Sequence, residues 1–301
     1  PSQFCNLTEV VVRESDDAAS LKRKVRLATI LGTVQATFTN MPYLRKIWET
    51  NTMEERLLGV SLTGIMDNRL LSKTVDSPRW LAEMKKEAIN VNAEYAMKLG
   101  IQVSSAITCV KPSGTVSQLV DSASGIHARH SEYYIRTVRG DNKDPLTQFM
   151  KDSGIPAEPC VMKPDSTTVF SFPTKSPAGA VTRNDMTALE QLELWKNYAL
   201  AWCEHKPSVT ITVRDEEWMA VGAWVYENFD ICSGISFLPH SDHTYAQAPY
   251  QDIDKDTYET LKEQMPSKID WTALSLYEKE DTTNGSQTLA CTSGACEIVD
   301  I

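Results

Sequence analysis

Chemistry in this sequence is concentrated in a loop, a cysteine near the head and a cysteine pair near the end. In Ala106-Ile-Thr-Cys-Val-Lys-Pro-Ser-Gly-Thr-Val-Ser-Gln-Leu119 an apolar run stops abruptly at small and hydroxyl-bearing residues. Residues 107–110 read as a buried strand. Pro112 ends its ladder, Gly114 permits a turn, and Ser113, Thr115 and Ser117 offer hydroxyls beside the amides of a helix expected from about Val116. Oriented amides and a helix dipole hold phosphate without many lysines, so the stretch outlines an anion cradle. A strand followed by a helix that is merely capped reads the same way. The Gly-x-x-x-x-Gly-Lys-Ser/Thr pattern is absent, which disfavours a nucleotide-hydrolysing engine.

The pair Cys291-Thr-Ser-Gly-Ala-Cys296 lies in a polar terminal stretch. Zinc there would need distant partners. The two thiols are also spaced to close a disulfide and exchange it, or they are an incidental pair in an unstructured end. About ten residues of extended chain beyond Glu280 span roughly 30 Å, enough to visit a buried site. Cys5, taken alone, reads as a small core residue, and Cys109, Cys160, Cys203 and Cys232 read as structural thiols. His240 and His243 fall in a loop, read as solvated. His127 and His130 flank Arg129 near the presumed ligand loop, within reach of phosphate or simply on the surface.

The elements that must position these groups follow from hydrophobic periodicity. A strand over the first dozen residues is followed by an amphipathic helix over 18–37, capped by Asp16 and Asp17. A short helical turn is expected at 43–48, a buried strand at 57–63, and a helix over 78–99 with Pro78 in its first turn and Gly100 after its end. The strand 107–110 then completes a strand, helix, strand, helix, strand order, the grammar of a parallel α/β fold. Such folds bind ligands beyond the carboxyl ends of their strands, where residues 111–117 fall. Further on, strands are expected at 133–138, 169–172, 208–213 and 234–238, and helices at 145–153, 187–203 and from Asp215. The organisation read from this is an α/β body over 1–276 and a flexible tail over 277–301.

Composition bounds the rest. A chain of 301 residues, 42% hydrophobic, buries a substantial core. With 30 Lys and Arg against 40 Asp and Glu, its formal charge of -10 argues against a nucleic-acid or anionic-membrane surface, so a phosphorylated ligand needs a local site. Seven cysteines do not form a secreted disulfide framework. Without an apolar run of membrane length or a leader, a cytoplasmic protein is expected.

Taken together, Phe4-Cys-Asn-Leu-Thr-Glu9, Lys111-Pro-Ser-Gly-Thr-Val-Ser117 with Ser124-Gly-Ile-His127 after it, and Ala290-Cys-Thr-Ser-Gly-Ala-Cys-Glu297 resemble the carboxyl-terminal part of a ribonucleotide reductase catalytic chain. The likeness is to the adenosylcobalamin-dependent kind, class II. It implies the second half of a ten-stranded α/β barrel. It further implies that Cys5 is one member of the active-site dithiol, that Pro112, Ser113, Gly114, Thr115, Val116 and Ser117 bind the substrate's phosphates, and that Cys291 and Cys296 are the tail dithiol. The implied partners are a ribonucleotide, a thioredoxin-like reductant and an amino-terminal reductase fragment. The family's Asn-x-Cys-x-Glu motif would lie about ten residues before Cys5, so the chain is expected to be the second piece of a split or processed reductase. Two alternatives stand beside this: a reductase activated by a separate metal-containing, radical-generating subunit, and a non-catalytic phosphate-binding or thiol-exchange module.

Overall fold

The computed structural model describes residues 2–240 and 246–279. Along the chain run β1 (Asn6–Val11), α1 (Ala18–Gln35), α2 (Lys46–Glu55), β2 (Leu58–Thr63), α3 (Ser77–Leu99), α4 (Val116–Leu119), β3 (Tyr133–Asp141), α5 (Pro145–Asp152), β4 (Ala157–Pro159) and β5 (Thr167–Lys175). There follow α6 (Ala188–Ala201), β6 (Val209–Val213), α7 (Trp218–Glu227), β7 (Ile235–Pro239), β8 (Tyr250–Asp252) and α8 (Lys255–Gln264). The chain divides into two compact units, one of residues Pro1–Arg129 and Pro177–His240, the other of the remaining described residues. The expected tail, 277–301, lies almost wholly outside the described residues.

In the first unit the strands are parallel. β1 pairs with β2 from Asn6↔Leu58 to Val11↔Thr63, and β6 pairs with β7 from Val209↔Ile235 to Val213↔Pro239. Residues 106–110 join the two pairs. On one side Leu58 and Val60 donate their amides to the carbonyls of Ala106 (3.0 Å) and Ile107 (2.8 Å), and the Cys109 amide donates to Val60 O at 3.0 Å. On the other side the Ser208 amide donates to Val110 O at 3.0 Å. The expected strand at 107–110 is therefore present only as isolated bridges, because each neighbour holds it at a few points. Together these segments make a partial parallel sheet, which places the chain in the α/β class; the described strands do not close a barrel.

Helices cover this sheet because its residues demand it. All six β2 positions are buried, the signature of a parallel strand covered on both faces. α1 packs on β1, β2 and α3, and α6 packs on α3 and β6. Asp17 and Ser20 cap α1 reciprocally, as Thr187 and Glu190 cap α6. The core holds Leu58, Leu62, Trp195, Tyr198 and Trp202, and the buried aromatics satisfy their polar atoms. Trp195 Nε1 donates to Pro207 O (3.0 Å), Trp202 Nε1 to Cys109 O (2.8 Å) and Tyr198 Oη to Leu71 O (3.0 Å).

The second unit is built on an antiparallel sheet in the order β4-β5-β3-β8. β3 pairs with β5 over nine positions, from Tyr133↔Lys175 to Asp141↔Thr167. Tyr134, Phe149, Val169 and Phe170 are buried in it. α2 lies later than expected and runs longer, ending where Arg56 takes a φ of +48°. The helix expected from Val116 lasts four residues, since the chain reverses at Asp121, whose φ is +46°.

Candidate functional site

The alternation of β1 sorts its residues. Thr8, Val10 and Val12 point into the helical layer and are buried, which leaves Cys5, Leu7 and Glu9 on the opposite face. Gly59 of β2 faces the same way. A Cβ built on it would collide with Leu7 and lie 2.9 Å from Cys5 Sγ and 3.4 Å from Cys109 Sγ. A glycine is what lets two sulfurs from different segments lean toward one point. Cys5 is half-buried, and burial raises its pKa while the Lys111 ammonium opposes the rise. Cys109 is wholly buried, and desolvation pushes its pKa up to about 12, so it stays a neutral thiol.

The loop after residues 106–110 is fastened to the same face. Ser113, at a φ of +53°, donates its hydroxyl to Glu9 Oε2 at 2.8 Å. Ser117 Oγ donates to Ser113 O, and Ser124 Oγ donates to Pro112 O and Ser113 O, each at 2.9 Å. The hydroxyls of Ser113, Ser117 and Ser124 are thus spent in shaping the loop. Among the described residues, nothing accepts from the amides of Gly114, Thr115 and Val116, three in succession at the tip. Consecutive amides of this kind form an anion-binding concavity. Pro112 ends the extended stretch, and Gly125, at a φ of +57°, lets the following segment approach, because a Cβ there would strike Lys111 O. Burial raises the pKa of Glu9 and its bond from Ser113 lowers it, with a net rise.

Behind the loop the chain is locked by a buried ion pair. Arg129 Nε donates to Asp67 Oδ1 at 2.8 Å and its Nη2 to Oδ2 at 2.9 Å, with both side chains 3% exposed. Asp67 Oδ2 also accepts from the Ala123 amide at 2.8 Å. His127 is not available to phosphate. Its Nε2 accepts from the Thr210 amide at 3.0 Å, which leaves the proton on Nδ1, 2.8 Å from the Ser124 carbonyl. Burial lowers its pKa, keeping the ring neutral. His130 belongs to the other unit, where its Nε2 lies 2.9 Å from Asp252 Oδ1.

Cys5 and the loop 112–117 thus share one face. Cys291 and Cys296, with His243, lie outside the described residues. Cys203 is buried and raised by desolvation, as expected of a structural thiol, whereas Cys160 is lowered: despite its burial, the amides of Lys163 and Met162 and the Arg139 side chain hold it down. Residue-by-residue reading passed over Glu9 and His205 and took Cys109 for a structural thiol with no link to Cys5. Glu9 was legible, four positions after Cys5 and hence on its face of a strand. His205 was not. Its Nε2 comes 4.0 Å from Cys5 Sγ across two hundred residues of sequence.

Among described residues, no group of three or more His, Cys, Asp or Glu side chains is arranged to hold a metal ion, and no helix is long and apolar enough to cross a membrane. The two hollows described are small. One of about 270 Å³ is lined by Glu14, Asp16, Asn68, Arg69 and Leu70, and one of about 330 Å³ lies in the antiparallel unit around Asn142, Lys151 and Glu158.

No protein-family profile matches the chain. Curated relatives do. An adenosylcobalamin-dependent ribonucleoside-triphosphate reductase of Lactobacillus delbrueckii subsp. bulgaricus is 26% identical over 324 residues, covering 98% of this chain and 43% of the relative. One of Euglena gracilis is 28% identical over 300 residues, covering 98% and 40%. A probable one of Dictyostelium discoideum is 27% identical over 303 residues, covering 99% and 38%. A crystal structure of a B12-dependent (class II) ribonucleotide reductase superposes with a TM-score of 0.78 at 24% identity, over 93% of this chain and 42% of that one, which shows a shared fold. The chain spans about two-fifths of the length of the relatives it matches. Along nearly its whole length, it is similar to the carboxyl-terminal part of adenosylcobalamin-dependent ribonucleotide reductases.

Proposed function

We propose that this chain is the carboxyl-terminal part of a ribonucleotide reductase catalytic chain, and that the described face is half of its active site. The observation that carries the reading is the bond from Ser113 to Glu9, which ties an amide-tipped loop to the strand bearing Cys5. A thiol that must act on the ribose of a nucleotide needs the phosphates held at a fixed distance from it. In this reading the amides of Gly114, Thr115 and Val116 take the phosphates, with the Thr115 hydroxyl beside them; Pro112, Ser113 and Ser117 set the loop's shape. The parallel sheet of the first unit forms half of a ten-stranded barrel in the complete enzyme. The names of the relatives favour a ribonucleoside triphosphate as substrate.

The overall reaction balances on thiols. A thiyl radical takes the 3′ hydrogen of the ribose and the 2′ hydroxyl leaves as water. Cys5 and a second thiol supply two electrons and become a disulfide, and the hydrogen returns to carbon 3′. Cys291 and Cys296 then re-reduce that disulfide by exchange and are themselves reduced by a thioredoxin-like protein. The relatives are named for adenosylcobalamin, but neither hollow in this chain presents the broad apolar face that a corrin would cover. The residues lining those two hollows do not make its seat alone. The cofactor belongs to the complete enzyme, with the remaining length of polypeptide supplied in the same chain or by a partner.

The test is reconstitution of that complete enzyme with ribonucleoside triphosphate, adenosylcobalamin and a dithiol reductant. Deoxyribonucleotide is expected, together with a cobalt(II) signal in electron paramagnetic resonance. A signal appearing only with a separate metal-containing subunit would favour that arrangement instead. Phosphate binding without product would leave a non-catalytic module.

A further inference from the structure

We propose that Glu9 is a positioning residue that couples phosphate binding to a proton: once protonated, its carboxyl releases the Ser113 hydroxyl to the anion at the tip of the loop. The proposal rests on the reading of residues 112–117 as the phosphate site, and it gives Ser113 a second role there. A serine hydroxyl has one proton to give. Ser113 gives it to Glu9 Oε2 at 2.8 Å, so while that carboxyl is ionised none is left for a ligand. A protonated carboxyl reverses the bond, because its own O–H donates to Ser113 Oγ and the hydroxyl proton turns outward.

Position singles out this pair. Ser113 directly precedes Gly114, Thr115 and Val116, whose amides no described residue accepts. Ser117 and Ser124 donate to the carbonyls of Ser113 and Pro112, which do not titrate, whereas the partner of Ser113 is a carboxyl. Ser113 also holds a φ of +53°, a left-handed conformation that a residue with a Cβ takes at a cost, and there its hydroxyl reaches β1.

The surroundings favour the proton. Across the strand pairing, Glu9 lies opposite the neutral Ser61, whose Oγ accepts from the Lys111 amide at 2.9 Å. The titratable groups near it are Cys5 on its own strand and the neutral Cys109 thiol, while the Lys111 ammonium acts on those two sulfurs. Among the described residues no ion pair ties Glu9 to a cation, and its burial favours the neutral form. An anion bound beside Ser113 favours that form further. On binding, one proton passes from solvent to Glu9, the Ser113–Glu9 bond reverses, and a hydrogen bond from Ser113 to the anion forms; no covalent bond between heavy atoms changes. Binding and protonation therefore strengthen each other by the same factor, and affinity rises as pH falls through the folded Glu9 value.

The test uses this chain and sulfate, a tetrahedral dianion whose own charge is constant over the range in which Glu9 titrates. The amide resonances of Gly114, Thr115 and Val116 report binding at each pH. Wild-type affinity should rise about ten-fold from the ionised to the protonated form of Glu9, the scale of one hydrogen bond gained by an anion. Glu9→Gln, a neutral donor and acceptor like the protonated carboxyl, should bind at the higher affinity at every pH, and Ser113→Ala should lose most of the ten-fold rise. A wild-type affinity independent of pH, or a Glu9→Gln chain that keeps the wild-type pH dependence, overturns the proposal. The carbon-13 resonance of the Glu9 carboxyl decides without any variant: saturating sulfate should move its titration midpoint up by about one pH unit, and an unmoved midpoint overturns the proposal. Failure of the phosphate-site reading shows differently, as amides at 114–116 that do not respond to sulfate at any pH.

Discussion

The parallel and antiparallel units bury their strands differently. β2 of the parallel unit is buried at every position, while the nine residues of β3 in the antiparallel unit include just two that are buried, Tyr134 and Thr137. A strand buried at every position has little freedom at its middle, so groups that meet a ligand gather on the open face of its neighbour β1, at strand ends and on small-residue gaps such as Gly59. That is where Cys5, Glu9 and the 112–117 loop lie. The antiparallel unit offers no such arrangement, although it holds, among the described cysteines, the one whose pKa is lowered, Cys160. Thiol ionisation by itself does not mark the site; neighbourhood does.

Exchanging cysteines between the units tests this contrast most severely. In the complete reductase with dithiol reductant, Cys5→Ser should lower turnover by about a hundred-fold or more, as expected for loss of a group acting on the substrate, and Cys160→Ser should stay within about two-fold. Equal effects would remove the distinction. Ion pairs come next. Asp67→Ala removes the two-point partner of the buried Arg129 guanidinium, which keeps the exposed Asp121, and should cost about 3 kcal/mol in urea unfolding, whereas Asp252→Ala, at a pair with a 45% exposed carboxylate, should cost about 0–1 kcal/mol. Gly59→Ala forces a methyl against Leu7 and both sulfurs, and should cost about 1–3 kcal/mol while changing the rate of Cys5 alkylation.

The smallest effects are in pH. His127 has a lowered pKa in the fold, so the stability it lends is present above its ordinary range near pH 6.5 and is lost as pH falls through the folded value. Glu9 is raised, so its contribution is full below its ordinary range near pH 4.5 and fades as pH rises through the folded value. The Thr210 amide should lose protection, measured against its intrinsic exchange rate, on acidification, and Glu9→Gln should flatten the opposite limb. Protection of Thr210 unchanged with pH would contradict the assigned His127 tautomer.

Much of the parallel unit was legible in the sequence. Asp17 before an apolar periodicity, Thr187 three residues before Glu190, and the β-branched run at 209–213 each carry their own local signal, and each forms the element expected. The loop at 112–117 announced itself by Pro112 and Gly114, but the direction of its hydroxyls did not. Ser113 turns to the Glu9 carboxylate and Ser117 to the Ser113 carbonyl, partners that local sequence does not announce. α8 escaped notice because Tyr258 is its only buried residue, leaving no apolar period to read. The pairing of β3 with β5 and β8 is set by residues far apart in sequence, as is the approach of His205 to Cys5. Periodicity reports local faces and is silent on such meetings.

In the proposed function Cys5 gives up electrons to a nucleotide held by the neighbouring loop. The complete enzyme, fully reduced and then freed of reductant, can be given one equivalent of ribonucleoside triphosphate and quenched with an alkylating agent. Peptide mass analysis should find Cys5 in a disulfide in proportion to the deoxyribonucleotide formed. Product appearing while Cys5 remains a free, alkylated thiol would contradict the account.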